Sequence, residues 1–100
     1  MNMQQMMAQA QKMKRELQKA LNELATQEFT VNKNGAVTIT MLGNGELKSV
    51  NIDSDAVKDD KEMVEDLIVV GVNELKVQIK KAEGDINERI TGSRGGFGGF

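Results

Sequence analysis

The 100-residue chain contains no cysteine, histidine, tryptophan or tyrosine. Without histidine it lacks the side chain that ordinarily exchanges a proton near neutral pH, and without cysteine it has neither a thiol nucleophile nor a soft metal ligand. Only carboxylates, lysines and hydroxyls remain for catalysis, so the composition argues against an enzyme, a zinc site or a bound cofactor. The absence of cysteine fits a reducing compartment. No apolar run approaches the roughly 18 residues of a membrane span, and the N-terminus opens on Met and Gln in place of a charged segment followed by an apolar one. The expectation is a cytoplasmic protein with no membrane partner and no small-molecule substrate.

What the chain has is charge, unevenly distributed. Thirteen Lys and Arg against fifteen Asp and Glu give a net charge of −2, and a pI of 5.1 counts on its face against nucleic acid. The distribution reverses that reading. The first quarter carries Lys12, Lys14, Arg15 and Lys19 against Glu16 and Glu23. The stretch from Asp59 to Glu74 is acidic, and from Leu75 onward Lys76, Lys80, Lys81, Arg89 and Arg94 outweigh Glu83, Asp85 and Glu88. Both ends are basic and the middle is acidic.

Apolar residues recur at three- and four-residue spacing through Met3, Met6, Ala10, Met13, Leu17, Ala20 and Leu24, the pattern of one continuous helical seam. A helix from Asn2 to Ala25 would be roughly 36 Å long, more than a globule of this size can cover, so it requires a partner helix or chain. After Ala25 the pattern alternates: Phe29 and Val31, then Val37, Ile39 and Met41, then Val50 and Ile52. These sets define the buried face of three antiparallel strands, joined by Asn34-Gly35, suited to a type I′ turn, and by Gly43-Asn44-Gly45. Thr38, Thr40 and Lys48 fall on the opposite, polar face. Asp59, with Glu62 three residues on, predicts a capped helix beginning near Asp60. Its stripe runs from Val64 to Ile90 over about 30 residues, with a bend or break expected at Gly84. Gly71, amid an apolar stretch, predicts a close approach by another backbone.

These lengths predict an α+β fold of helix, three-stranded antiparallel sheet and long helix, forming one domain over residues 1–90, followed by a disordered Gly-rich tail at 91–100. The two helices overrun the sheet and should pair antiparallel as a projecting arm, covering each other's stripes and merging the two basic stretches. Sheet edges and uncovered stripes then call for a homodimer. Its interface is expected at Ile39, Met41, Leu67, Ile68, Gly71, Val72 and Leu75.

Other motifs add little. The glycines at 43 and 45 precede no helix and so form no nucleotide-binding loop, and Asp53, Asp55, Asp59 and Asp60 lack the ligand order of a calcium loop. In the tail, Arg94, Phe97 and Phe100 could supply a phosphate contact and stacking groups.

The opening MQQMMAQAQKMKRELQ, the hairpin segment GNGELKSVNID, the stretch DDKEMVEDLIVVGVNELK and the ending GSRGGFGGF together resemble the YbaB/EbfC family of small bacterial nucleoid-associated, DNA-binding proteins. The resemblance covers nearly the whole chain and is most specific from Asp59 to Lys76. It implies an intertwined or tweezer-like homodimer whose helical arms contact double-stranded DNA, in a protein associated with the nucleoid. The candidate DNA-binding residues are Lys12, Lys14, Arg15, Lys19, Lys76, Lys80, Lys81 and Arg89. A second class fits the apolar stripe and acidic total charge: a protein-binding adaptor or chaperone-like coiled-coil module gripping apolar segments with Met-lined helices.

Overall fold

The computed structural model describes residues 2–92. The expected tail therefore lies outside the described residues from position 93 onward, with Arg94, Phe97 and Phe100. The elements are α1 (Met3–Thr26), β1 (Glu28–Lys33), β2 (Val37–Leu42), β3 (Leu47–Ile52), a short α2 (Ser54–Asp59) and α3 (Lys61–Thr91). The strands form one antiparallel sheet in the order β1-β2-β3. This is the α+β architecture that the change of period predicts, with α2 as an addition.

Local chemistry fixes the element ends. Asn2 caps α1: its Oδ1 accepts from the Gln5 amide at 2.8 Å, and the Gln5 side chain returns a bond to the Asn2 amide. This capping box has no acidic residue, which hides it from a search for Glu. The cap of α3 is Asp60, one residue beyond the expected Asp59, and its Oδ1 accepts from Met63 N at 3.0 Å. Asp59 is instead the last residue of α2, which Asp53 caps. The α3 helix runs unbroken through Gly84 to a left-handed cap at Gly92, so the expected break does not occur. A glycine costs a helix only about 1 kcal/mol, which the packing of Ala82 and Ile86 beside α1 can offset. At the first hairpin Asn34 and Gly35 both have positive φ, 57° and 69°, as a type I′ turn requires.

One face of the sheet packs on the sheet-proximal half of α3. Val31, Val37, Ile39 and Met41 interlock there with Val64, Leu75 and Ile79. Gly71 is the point of closest approach: a Cβ on it would lie 2.7 Å from Ile39 Cδ1 and 3.4 Å from Val31 Cγ2. The approaching group is a side chain of the same chain, not a foreign backbone. Since α3 lies over β1 and β2, β3 is left at the margin. Val50 is half-buried, and Ile52, expected inside, is exposed. The opposite sheet face is polar: Thr30 pairs with Thr40, the Asn32 amide donates to the Thr38 hydroxyl, and Lys48 pairs with Glu28.

The expected interface residues divide accordingly. Ile39, Met41, Gly71 and Leu75 are buried inside a single chain, because they form the seam between sheet and α3, and they have no surface to offer a second copy. Leu67, Ile68 and Val72 flank that seam and are half-buried.

A backbone joint ties α1 to the sheet. Gly43 N–H donates to Gln27 O at 2.9 Å and Asn44 N–H to Ala25 O at 3.2 Å, so the second hairpin turn docks on the end of the helix. From that joint α1 runs beside the distal part of α3. The result is elongated, with Cα extents of 68 × 24 × 15 Å and a radius of gyration of 18.8 Å, against about 13 Å for a compact chain of this length.

Candidate nucleic-acid interface

The arm is built from the C-terminal half of α1 and the last three turns of α3. Ala20, Glu23, Leu24 and Gln27 share one groove with Ala82, Asp85, Ile86 and Arg89, and Glu16, Lys19, Ala20 and Glu23 share the next with Arg89 and Ile90. The helices thus run antiparallel, with Arg89 level with Lys19 and Ala20. Apolar pairing ends there. Since α3 ends at Thr91, residues 3–15 of α1 extend past it, exposed and unpaired among the described residues, for roughly 20 Å. The mutual coverage predicted for the stripes holds for Leu17 to Leu24 and fails for Met3, Met6, Met7 and Met13, which are 75%, 58%, 57% and 41% exposed.

All eight candidate DNA-binding residues are exposed, and their positions differ from a single cluster. Lys12, Arg15 and Lys19 follow one another at spacings of three and four, on the side of α1 facing away from Leu24. Lys14 lies beside them, lining a shallow groove with Gln11, Arg15 and Gln18. Lys19 and Arg89 line the same groove between the helices. Counting from that level at about 1.5 Å per residue, Lys12 lies roughly 10 Å outward and Lys76 roughly 20 Å toward the sheet, with Lys80 and Lys81 between Lys76 and Arg89. The cations form a track along the molecule's long axis, with Lys12, Lys14, Arg15, Lys19, Lys81 and Arg89 on the arm and Lys76 and Lys80 on the sheet-backed stretch of α3.

Acidic neighbours temper this track without cancelling it. Lys12 Nζ stands 4.0 Å from Glu16 Oε1, four residues on, with both side chains more than half exposed. Such a pair contributes about 0.5 kcal/mol at most and yields readily to a phosphate. Lys33 behaves differently. Its Nζ donates to Glu74 Oε1 at 2.8 Å in a half-buried pair that ties β1 to α3, so Lys33 is a structural cation. Lys58 and Lys61, exposed at the opposite end of the molecule, are the appropriate counterparts to the arm. Among the described residues no three metal-ligating side chains come together, and no helix is long and apolar enough to cross a membrane.

Two comparisons bear on this arrangement. The model of the YbaB/EbfC DNA-binding family matches residues 1–94. A protein of Saccharopolyspora erythraea named nucleoid-associated protein is 41% identical to this chain, over 99% of the chain and 87% of that protein's length.

Proposed function

The chain belongs to the YbaB/EbfC DNA-binding family, and we propose that it is a nucleoid-associated protein that binds duplex DNA as a homodimer through its basic arms. The observation that carries this reading is the track formed by Lys12, Lys14, Arg15, Lys19 and Arg89, with Lys76, Lys80 and Lys81 continuing it. These side chains are long, exposed and cationic, suited to phosphate oxygens. A duplex presents one negative charge about every 1.7 Å of axis, and a rod bearing spaced cations can follow it and release condensed counterions. Gln11, Arg15, Gln18 and Asn22 share one exposed side of α1, but the cations outnumber them along the arm, so affinity comes chiefly from the phosphate backbone and sequence specificity is low. In a homodimer two arms would engage one duplex, or two neighbouring segments of it. That geometry would influence nucleoid organisation and, through it, gene expression.

The test is binding of the intact protein to unrelated duplexes at several salt concentrations. DNA binding through the track predicts similar affinities for all sequences and steep weakening with salt. The exposed methionines at the tip of α1 favour the second reading, a grip on apolar protein segments. Indifference of any DNA binding to salt would support it.

A further inference from the structure

The end of α1 that extends past α3 carries most of the chain's sulfur. With no cysteine, tryptophan, tyrosine or histidine in the sequence, the thioether of methionine is the only readily oxidised side chain this protein has. Four of its seven methionines, Met3, Met6, Met7 and Met13, fall between residues 3 and 15 and are 41–75% exposed. Met41, by contrast, is sealed in the core at 2% exposed, and Met63 is half-buried against it. Susceptibility to peroxide follows exposure of the sulfur, so among the described residues an oxidant meets one region first.

That region is also the part of the fold with least to hold it. No other element covers residues 3–15, so tertiary packing, the main source of helical stability in proteins, contributes nothing there. Its order rests on local terms: the Asn2–Gln5 capping box, the exposed Lys12–Glu16 pair, and composition. From Met3 to Arg15 every residue is Met, Gln, Ala, Lys or Arg, all strong helix formers, with no glycine, proline or β-branched residue. A helix sustained by propensity alone is marginal at this length, so a change in four of its side chains decides whether it persists. A thioether offers the backbone no strong acceptor. A sulfoxide oxygen is one, and it competes for backbone amides as the side chains of Ser and Asn do.

We propose that Met3, Met6, Met7 and Met13 form a reversible oxidation site that melts the free end of α1. In the forward step hydrogen peroxide transfers one oxygen atom to the thioether sulfur: the O–O bond breaks, an S–O bond forms and water leaves. The sulfur gives up two electrons and the peroxide accepts them. A methionine sulfoxide reductase, with two electrons and two protons from a dithiol, returns the thioether and water. Melting leaves Lys12, Lys14 and Arg15 charged but no longer held at fixed spacing. The consequence for binding rests on the DNA-binding reading: the end of the arm must then be ordered at the moment of contact, which lowers affinity.

Treatment of the full-length protein with dilute hydrogen peroxide, followed by peptide mapping, circular dichroism and duplex binding, tests it. Peptides holding Met3, Met6, Met7 and Met13 should gain about 16 Da per methionine well before Met41 does. About a fifth of the helical ellipticity should vanish, the share of residues 3–15 in the three helices. Duplex affinity should fall several-fold at every salt concentration with the salt slope nearly unchanged, since no charge is lost. Sulfoxide reductase should restore both. Met3→Leu/Met6→Leu/Met7→Leu/Met13→Leu, which keeps helix propensity without the sulfur, should hold its ellipticity and affinity through the same treatment. Oxidation of all four with ellipticity unchanged overturns the proposal, as does Met41 reacting as fast as the four, or an equal loss in the leucine variant. Melting with no change in affinity overturns the link to binding. An untreated protein that binds no duplex overturns the DNA-binding reading instead, and the peptide map and ellipticity still decide the oxidation site.

Discussion

Replacing Gly43 by alanine should loosen the joint on which the arm depends. An added Cβ would lie 1.8 Å from the carbonyl oxygen of Leu24 and 2.7 Å from its carbonyl carbon. Both are backbone atoms, so no rotamer change relieves the overlap, and Leu24 is itself only 5% exposed. The turn must move away from the helix end, which stretches the bonds from Gly43 N–H to Gln27 O and from Asn44 N–H to Ala25 O. Two backbone hydrogen bonds at about 1 kcal/mol each, with overpacking of about 1–3 kcal/mol, give a loss of roughly 3–5 kcal/mol. At about 4–8 °C per kcal/mol for a domain of this size, the midpoint of thermal unfolding should fall by at least about 12 °C. Gly45, two residues on, is the control. It has a φ of 88°, and a Cβ placed on it would have no neighbour within 4 Å, so alanine there meets only backbone strain of about 1–2 kcal/mol. Thermal unfolding followed by circular dichroism compares the two, and hydrogen exchange at the residue 43 and 44 amides locates the damage. If Gly43→Ala costs no more than Gly45→Ala, the joint is not as close as described and the argument fails.

Three further outcomes follow from the packing. Gly71→Ala gains about 1 kcal/mol of helix propensity but drives a methyl into Ile39, which is fully buried, so it should destabilise the fold by about 1 kcal/mol net. Ile39→Val should relieve part of that in a double-mutant cycle of unfolding free energies, and strict additivity would refute the contact. Asn2→Ala removes the capping box of α1 and should cost about 1 kcal/mol, seen as faster amide exchange in its first turns with the sheet unaffected. Lys33→Met and Glu74→Gln should each lower stability by about 1 kcal/mol or less, since the pair is partly screened, with a measurable coupling between them. Purely additive losses would show that the pair contributes nothing.

How much of the fold is legible in the sequence depends on how local the cause is. The two helices, the three strands and the Asn34-Gly35 turn follow from period and turn chemistry alone, because each is decided within a few residues. The cap of α3 is displaced by one residue from the expected position because Asp59 and Asp60 are chemically equivalent until α2 is seen to occupy the first. α2 itself escapes a reading by period, since six residues without a stripe leave no periodic signal. The role of Gly71 is half legible: close approach is correct, but the group approaching is Ile39, fixed by strand register over thirty residues away. At the candidate interface, the side of α1 bearing Lys12, Arg15 and Lys19 follows from spacing. The separation of Lys76 from Lys12 does not, because it depends on where α3 stops relative to α1. Lys33 looks like any surface lysine until Glu74 is found beside it.

The central claim, that the arm's cations hold the phosphates, is tested most directly by the salt dependence of binding to a duplex of arbitrary sequence. With each cation replacing about one condensed counterion, Lys12→Ala/Arg15→Ala/Lys19→Ala should reduce the slope of log K against log salt by roughly 2–3 for each arm engaged, about 5 for a dimer using both, and weaken binding to every duplex alike. Lys58→Ala/Lys61→Ala should leave the slope and affinity close to those of the unmodified protein. An unchanged slope in the arm variant, or an equal loss per charge in the control, would contradict the account.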